Sequence, residues 1–352
     1  MLAVLAPAHA VCYSRETRQE VCVKKVLVTY RDIPGGRLLE ELEESFGVTT
    51  SPTSDYLSRA QLMDAVSDVH GLVSLLSERI DGELMDAAPH LELVANYAVG
   101  YNNVDVEAAT ERGILVTNTP GVVTDATADL AWALVMSVAR DIVIVDRYAR
   151  SGSWKEWKPE KFIAADVTGT TLGVIGMGRI GRAMVKRAAG FDMSVLYYDP
   201  ARLDAGTEQS LGVRYVSFEE LLALSDFVTL HVPLDSDTFH LIDAAALAKM
   251  KPTAYLINAS RGSVVDEKAL VRALATGTIA GAGLDVYENE PMLEPGLAEL
   301  ENVVLVPHLG ANSRRTRDRM AGMTLENIKM ALSGGIPPNL VNPAALVNRR
   351  GA

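Results

Sequence analysis

The chain has 352 residues, of which 48% are hydrophobic and 22% are charged, and its formal net charge is −12 at pH 7. This length predicts two domains, because single hydrophobic cores stop growing at about 250–300 residues. The acidic charge disfavours a nucleic-acid backbone or an anionic membrane surface as the main partner. No apolar run in the sequence reaches the ~20 residues that a membrane span needs, so no membrane partner is expected.

The first 23 residues are predicted to be a disordered extension. Their start, MLAVLAPAHAVCYS, is apolar enough to leave a signal peptide as the alternative, but it has no basic region and Pro7 interrupts it. Both cysteines, Cys12 and Cys22, lie here, so neither a disulfide framework nor a cysteine-based metal site is expected. We therefore expect a cytoplasmic protein without a bound metal.

Apolar strand patterns alternate with helical patterns after this extension. Four of these strands are predicted in the first part of the chain, at 24–30, 69–76, 91–97 and 113–118. Such alternation predicts a parallel sheet with helices on both faces. A long helix is then predicted from about Thr124 to Arg150, with Thr124 or Asp125 as its N-cap.

A G-x-G-x-x-G motif follows in the segment TLGVIGMGRIGR, at Gly176, Gly178 and Gly181. A strand pattern precedes the motif, and a helix beginning with Arg179 and Ile180 follows it. In this setting the first glycine makes a tight turn, the second lets the backbone approach a diphosphate, and the third allows close helix–strand packing. Free N–H groups at the start of the helix would bind the diphosphate. The motif therefore predicts a dinucleotide cofactor.

Asp199 ends the next predicted strand, 23 positions after Gly176. An acidic side chain at this point accepts hydrogen bonds from the ribose hydroxyls and repels a 2′-phosphate. We therefore predict NAD(H) rather than NADP(H), although Arg202 is close enough in sequence to weaken the preference. A simple turn residue before Pro200 is the alternative for Asp199.

Six strands are predicted in the second half of the chain, at 171–176, 194–199, 226–232, 253–259, 280–286 and 302–306, before a last helix at 313–332. Arg261, Glu290 and His308 follow the last three of these strands. Because open α/β sheets bind ligands beyond the carboxyl ends of their strands, these side chains are candidates for one site. Arginine grips a carboxylate with its planar fork, histidine exchanges a proton near neutral pH, and a paired glutamate favours the imidazolium. Ordinary turn and loop residues are the alternative for all three.

The motifs ASRG (259–262), GLDVYENEP (283–291) and VPHLG (306–310), after GMGRIG, resemble those of the D-isomer-specific 2-hydroxyacid dehydrogenases. This resemblance covers about residues 24–345. It implies that Arg261, Glu290 and His308 are the catalytic residues of an oxidoreductase.

The same resemblance implies an α/β fold of two Rossmann-like domains with doubly wound parallel sheets. In this fold the cofactor domain is inserted into a flavodoxin-like substrate domain. The implied substrate domain comprises residues 24–122 and 312–345, and the implied NAD-binding Rossmann domain comprises residues 123–311.

Further ligand contacts are implied by the resemblance. Val99 and Gly100 would offer backbone N–H groups to the substrate carboxylate, beside Arg261 and His308. Family members often have Asp where this chain has Asn102, so this loop departs slightly from the family pattern. Asp285 would hold the nicotinamide carboxamide, with a strand-end turn residue as the alternative.

The remaining implied cofactor contacts are Thr127, Val232, Pro233, Ala259, Ser260 and Gly310. Thr127 and Asp129 match a segment near the cofactor, and a helix-surface position is the alternative for both. His231 is predicted to pack against the protein or to face solvent.

The segments VANYAVGYNNVD, SGSWKEWKPEKF and PHLGANSRRTR look most similar to the glyoxylate/hydroxypyruvate reductase branch. This similarity implies NAD(P)H-dependent reduction of a small 2-oxoacid to the D-2-hydroxyacid, with His308 as proton donor. It also implies a homodimer with Trp154 and Trp157 in its arm, and packing of both tryptophans on their own domain is the alternative. Two other functions stay open: a D-3-phosphoglycerate dehydrogenase-type enzyme and an NAD(H)-sensing, corepressor-like binding protein.

Overall fold

The computed structural model describes residues 23–351, so the predicted extension with both cysteines lies outside the described residues, apart from Val23. Two parallel sheets with helices around them form the described chain, which confirms the predicted fold class. No helix within residues 23–351 combines the length and the hydropathy needed to cross a bilayer.

The first sheet has five parallel strands in the spatial order β2-β1-β3-β4-β5, which is the flavodoxin order. Every residue of β3 and β4 is buried, as expected for parallel strands covered on both faces. The edge strand β2 was not predicted, because its sequence GVTT has only one large apolar residue and alternates between exposed and half-buried positions. The elements are β1 (Lys25–Val28), α1 (Leu38–Glu43), β2 (Gly47–Thr50), α2 (Arg59–Ala65), β3 (Gly71–Ser74), α3 (Gly82–Asp86), β4 (Leu93–Asn96), α4 (Val106–Glu111) and β5 (Leu115–Thr117).

The second sheet has seven parallel strands in the order β12-β11-β10-β9-β6-β7-β8, a doubly wound arrangement around β6. Six of its strands were predicted, whereas the three-residue edge strand β8 was missed because it is too short to show a periodic pattern. The elements are β6 (Thr171–Ile175), α7 (Arg179–Ala188), β7 (Ser194–Tyr198), α8 (Ala205–Leu211), β8 (Val213–Tyr215), α9 (Phe218–Leu224), β9 (Phe227–Leu230), α10 (Ala244–Lys249), β10 (Tyr255–Asn258), α11 (Glu267–Ala275), β11 (Gly281–Leu284) and β12 (Val303–Leu305).

The single helix predicted from Thr124 to Arg150 is wrong, because two helices, α5 (Thr124–Ala139) and α6 (Ile142–Arg150), occupy this stretch. Asp141 between them has a φ of 53°, a left-handed conformation that no α-helix interior tolerates. The predicted N-cap is also wrong. Val123 holds that position without a side-chain cap, and the Thr124 hydroxyl bonds back to the Gly121 carbonyl at 3.0 Å.

The connection after α6 carries both tryptophans on its surface. Trp154 is 64% exposed and Trp157 is 78% exposed, so the alternative in which they pack on their own domain is wrong. Ile163, further along the same connection, is exposed as well.

Helix α12 (Arg314–Leu332), which confirms the last helix predicted from the sequence, packs against the first sheet. The Ser313 side chain caps its N-terminus by accepting the Thr316 N–H. Its buried residues Met320, Ile328 and Ala331 join the core formed by β1 and β4. The chain segment of the second sheet is therefore inserted between two parts of the first domain.

Asn342 ties the end of the chain to the first domain. Its side chain is buried and accepts the Val116 N–H at 2.8 Å, while it donates to the Ile114 carbonyl at 2.9 Å and to the Thr110 hydroxyl at 3.1 Å.

Replacing Asn342 with Ala would leave these groups buried without partners. We expect Asn342→Ala to lower the free energy of unfolding by about 2–4 kcal/mol in urea titrations. The control Val347→Ala changes an exposed side chain and should cost less than about 0.5 kcal/mol, and equal unfolding midpoints for the two variants would contradict the anchoring role.

Candidate active site

Three turns at one edge of the second sheet bring Arg261, Glu290 and His308 together. They follow β10, β11 and β12, which are adjacent parallel strands, so the three turns leave the sheet at the same edge. The His308 Nδ1 lies 2.8 Å from the Glu290 Oε2, and the Arg261 charge acts on the Glu290 carboxylate. Strand pairing alone therefore brings Glu290 close to Arg261 and His308, which lie 29 and 18 positions away from it in the sequence.

The Glu290 carboxylate is held from two sides. Its Oε1 accepts the Tyr287 N–H at 3.0 Å, and its Oε2 faces the His308 ring. Burial opposes ionisation of Glu290, but the hydrogen bond and charge of His308, the Tyr287 amide and the Arg261 charge together bring its pKa below the usual value. Because the pair occupies Nδ1 of His308, Nε2 is the ring nitrogen left for a substrate.

The turn that carries His308 is fixed by Asp285, at the exit of β11. The His308 N–H donates to the Asp285 carbonyl at 2.8 Å, and the Leu309 and Gly310 N–H groups donate to its carboxylate. Burial raises the pKa of Asp285 to about 6, against the lowering effect of these amides and of the His308 charge. Asp285 therefore holds the backbone of the turn, and its implied contact with the nicotinamide stays a prediction.

Thr127 supports the same turn from α5. It is buried, and its hydroxyl donates to the Gly310 carbonyl at 3.2 Å, so the helix-surface alternative is wrong for this residue. Asp129, by contrast, lies on the exposed side of the helix and pairs with Arg187 at 2.5 Å. Thr127 is therefore buried against the turn, whereas Asp129, two positions later, faces solvent.

The guanidinium of Arg261 lies at the cleft between the two domains. The Arg261 carbonyl accepts the Asn258 side-chain amide at 2.9 Å, and its Nη1 donates to the Ser260 carbonyl at 2.6 Å. Ala259 and Ser260 are buried in the turn itself. Burial lowers the pKa of Arg261, and the charge of Glu290 works in the opposite direction.

The Val99–Gly100 loop of the first domain faces this guanidinium. A side chain at Gly100 would place its Cβ 1.5 Å from the Arg261 Nη2, so the guanidinium keeps this position only while residue 100 is glycine. The Val99 carbonyl accepts the Asn118 side chain at 2.7 Å, and the Gly100 carbonyl accepts the Asn96 side chain at 2.8 Å. The N–H groups of Val99 and Gly100 make no hydrogen bond within the described part of the chain, which leaves two donors beside a cation.

The glycine motif has the geometry of a dinucleotide loop. Gly176 has a φ of 93°, and a Cβ there would lie 2.6 Å from the His231 carbonyl oxygen. A Cβ at Gly181 would lie 2.1 Å from the Gly176 carbonyl oxygen, whereas one at Gly178 would meet no atom within 4 Å. The loop is thus closed on the protein side and open in front of α7, where Arg179 and Ile180 begin the helix, as a diphosphate requires.

Asp199 lies beside this loop, at the end of β7. Its Oδ2 accepts the Met177 N–H at 2.8 Å and its Oδ1 accepts the Ala201 N–H at 2.9 Å. Arg202 instead pairs with Glu208 at 2.9 Å and lies over the Tyr215 ring. Within residues 199–202, the charged side chain that contacts the loop is therefore the negative Asp199.

Val232 and Pro233 follow β9 on the other side of the loop. A Cβ at Gly176 would lie 2.9 Å from the Val232 Cγ1, and the Pro233 carbonyl accepts the Thr238 hydroxyl at 2.7 Å. His231 packs inside, with its Nε2 2.9 Å from the Thr229 hydroxyl, and burial lowers its pKa to about 3. It is therefore neutral near pH 7.

Three asparagines that position the site were not identified as site residues from the sequence. Asn96 and Asn258 are buried at the last positions of β4 and β10, and each holds the loop that follows it. The sequence signal that could have identified Asn96 and Asn258 is a polar residue at the end of a strand predicted to be buried. Asn102 was noticed only as a departure from the family pattern, and its partners come from the other domain.

No group of three or more His, Cys, Asp or Glu side chains in the described residues is arranged to hold a metal ion. The open glycine loop, the acid at the end of β7 and the catalytic edge of the sheet instead fit a nicotinamide dinucleotide. These features occupy the carboxyl ends of β6, β7 and β10–β12, where this type of sheet binds such cofactors.

Comparison with known proteins agrees with this geometry. Residues 132–310 match the model of the D-isomer specific 2-hydroxyacid dehydrogenase, NAD binding domain. A glyoxylate reductase of Korarchaeum cryptofilum is 52% identical over 320 residues, which cover 90% of this chain and 96% of the relative.

Two solved structures extend the comparison to three dimensions. A glyoxylate reductase from Paecilomyes thermophila has a TM-score of 0.81 at 34% identity, covering 91% of this chain and 98% of the other. An NADPH-dependent glyoxylate/hydroxypyruvate reductase from Sinorhizobium meliloti, in complex with NADP and malonate, has a TM-score of 0.78 at 35% identity, covering 94% and 99%. The chain therefore belongs to the D-isomer specific 2-hydroxyacid dehydrogenase family.

Proposed function

We propose that this chain is an NAD(P)H-dependent reductase of the glyoxylate reductase type, which reduces glyoxylate or hydroxypyruvate to the D-2-hydroxyacid. The observation that carries the proposal is the convergence of Arg261, the Glu290–His308 pair and the Val99–Gly100 loop at one cleft. The names and the identity of the relatives support this substrate class.

Arg261 and the two free N–H groups of Val99 and Gly100 would bind the oxoacid. A carboxylate placed between them receives charge-assisted hydrogen bonds from both domains, and the planar guanidinium can reach the adjacent carbonyl oxygen as well. As that oxygen gains negative charge, Arg261 stabilises it, an effect commonly worth about 3–4 kcal/mol.

His308 would donate a proton to the carbonyl oxygen from Nε2. A nicotinamide cofactor, when bound, would supply the hydride that the reduction needs. Glu290 keeps the ring oriented, since its carboxylate lies 2.8 Å from Nδ1. Asp285 and Thr127 hold the turn so that the ring does not need to reorganise.

NADH is the proposed preferred cofactor. The Asp199 carboxylate lies beside the loop that would hold the diphosphate, and the Arg202 charge is paired with Glu208. The relative from Sinorhizobium meliloti is described as NADPH-dependent, so the preference of this chain needs its own measurement.

We also propose that residues 24–122 with 312–345 and residues 123–311 are the two domains that close on the substrate, and that two copies of the chain form a dimer. The exposed Trp154, Trp157 and Ile163 support the dimer, because large apolar side chains grouped on one connection mark an interaction site. The cytoplasmic location stays a prediction.

The proposed reaction is tested by NADH oxidation with glyoxylate, hydroxypyruvate and 3-phosphohydroxypyruvate. We expect turnover with one of the first two, and a fall in kcat of about 10²–10⁴-fold in His308→Ala, because general acid catalysis contributes this much. His90→Ala, which changes an exposed histidine far from the cleft, is the matched control and should keep wild-type turnover. Equal rates in the His308 and His90 variants would exclude His308 as proton donor, and sole turnover of the phosphorylated oxoacid would favour the phosphoglycerate dehydrogenase alternative.

The cofactor preference is tested by Asp199→Ser. Removing the carboxylate removes its repulsion of a 2′-phosphate and its bonds to the ribose, so the ratio of kcat/KM for NADPH over NADH should rise by at least about tenfold. Asp64→Ser makes the same change on an exposed face of the first domain and should leave the ratio unchanged. A constant ratio in both variants would refute the role of Asp199.

The dimer is tested by sedimentation of Trp154→Ser/Trp157→Ser. Two central aromatic side chains typically contribute 2 kcal/mol or more each to an interface, so the dimer should weaken by at least about a hundredfold. Val347→Ser alters an equally exposed apolar side chain elsewhere and should sediment as the wild type does. An unchanged dimer in the tryptophan variant would place the interface on another surface.

A further inference from the structure

Asn102 reaches across the cleft between the two domains. Its Nδ2 donates to the Leu234 carbonyl at 3.1 Å, and its Oδ1 lies 3.4 Å from the Arg261 Nε. Asn102 belongs to the first domain, whereas both partners belong to the cofactor domain. The neighbouring Asn103 has the opposite role, since its side chain donates to Leu75, Glu78 and Asn96 within the first domain.

These two bonds differ from the other hydrogen bonds of the described residues because they join the two domains. Apart from the chain connections around 119–127 and 309–316, each hydrogen bond between the two domains within residues 23–351 involves Asn102. Asn102 is exposed, so packing does not hold its side chain, and the two bonds alone orient it. Its backbone is well placed because Asn103 anchors the loop.

Both partners of Asn102 have a function in the proposed reaction. Arg261 would bind the oxoacid, and Leu234 follows Val232 and Pro233 in the loop beside the glycine motif. One side chain of the substrate domain therefore contacts the substrate-binding cation and the cofactor-side loop together.

A neutral amide can satisfy both partners of Asn102 at once. The Leu234 carbonyl needs a donor and the Arg261 Nε needs an acceptor, and an amide supplies one of each. A carboxylate at this position could not donate to the carbonyl and would be repelled by it. It would also form an ion pair with Arg261 and so compete with the carboxylate of the oxoacid.

We propose that Asn102 is a positioning residue that latches the two domains together and orients Arg261 without neutralising its charge. The consequence for the reaction rests on the proposed function, in which Arg261 binds the oxoacid. The latch itself is a property of the two domains and can be measured without turnover.

The test compares Asn102→Asp and Asn102→Ala with the wild type in full-length protein. In Asn102→Asp the KM for glyoxylate should rise at least about tenfold, with a smaller change in kcat, because the new carboxylate occupies Arg261. In Asn102→Ala the loss of the latch should lower kcat/KM about fivefold. The Kd for NADH, measured without oxoacid, should stay within about twofold of the wild-type value. The thermal unfolding midpoint should stay within about a degree of the wild-type midpoint.

A second readout does not depend on activity. Hydrogen–deuterium exchange of the backbone amides in 97–104 and 232–239 should be about fivefold faster in Asn102→Ala than in the wild type without ligands. Asn348→Asp is the matched control, because its side-chain amide donates to the Thr110 and Glu111 carbonyls, which both belong to the first domain. It should leave both the KM and the exchange in these loops unchanged.

Unchanged exchange in Asn102→Ala would overturn the latch, whatever the activity shows. Faster exchange with an unaltered KM in Asn102→Asp would overturn the orientation of Arg261. Absence of oxoacid turnover in the wild type, with faster exchange in the variant, would refute the proposed function and leave the latch in place.

Discussion

The pairing of β10, β11 and β12 as adjacent parallel strands is the constraint on which the site depends. Parallel strands end at the same edge, so the three turns that follow them emerge side by side. Arg261, Glu290 and His308 then need no special backbone path to meet. The chemistry of the cleft is therefore a consequence of strand order, and each turn only has to hold one side chain in place.

Buried polar side chains at strand ends hold these turns. Asp285, Asn258 and Asn96 are almost completely buried and hydrogen-bond to loop backbone. Asn258 and Asn96 bind the loop that follows their own strand, whereas Asp285, after β11, binds the turn that follows β12. A buried polar group is costly unless it is paired, so these residues are stable only while the loops keep one conformation. The same bonds that satisfy the core thus orient the side chains of the candidate site before a ligand arrives.

Local charge and overall charge differ in this protein. The chain carries a net charge of −12, yet the cleft presents the Arg261 guanidinium and two backbone N–H groups that make no hydrogen bond within residues 23–351 to an anionic substrate. Acidic residues near the cleft are occupied: Glu290 by His308 and Asp285 by the Leu309 and Gly310 amides. The negative charge is therefore paired where the substrate would bind, and the cation faces the opening.

Local sequence determined the features that need only neighbours along the chain: the strand–glycine–helix unit at 171–188, the acid at Asp199, and the polar residues that follow three strands. The short edge strands β2 and β8 were not predicted, because three or four residues carry too little periodic pattern. The break at Asp141 was not predicted either, because it is a change of backbone conformation at one residue. Only the tertiary structure decided that Thr127 is buried, that Asp285 binds the turn of His308, and that Asn102 contacts the other domain. Those partners lie 23 to 183 positions away, and local pattern has no information about contacts made by strand order and domain closure.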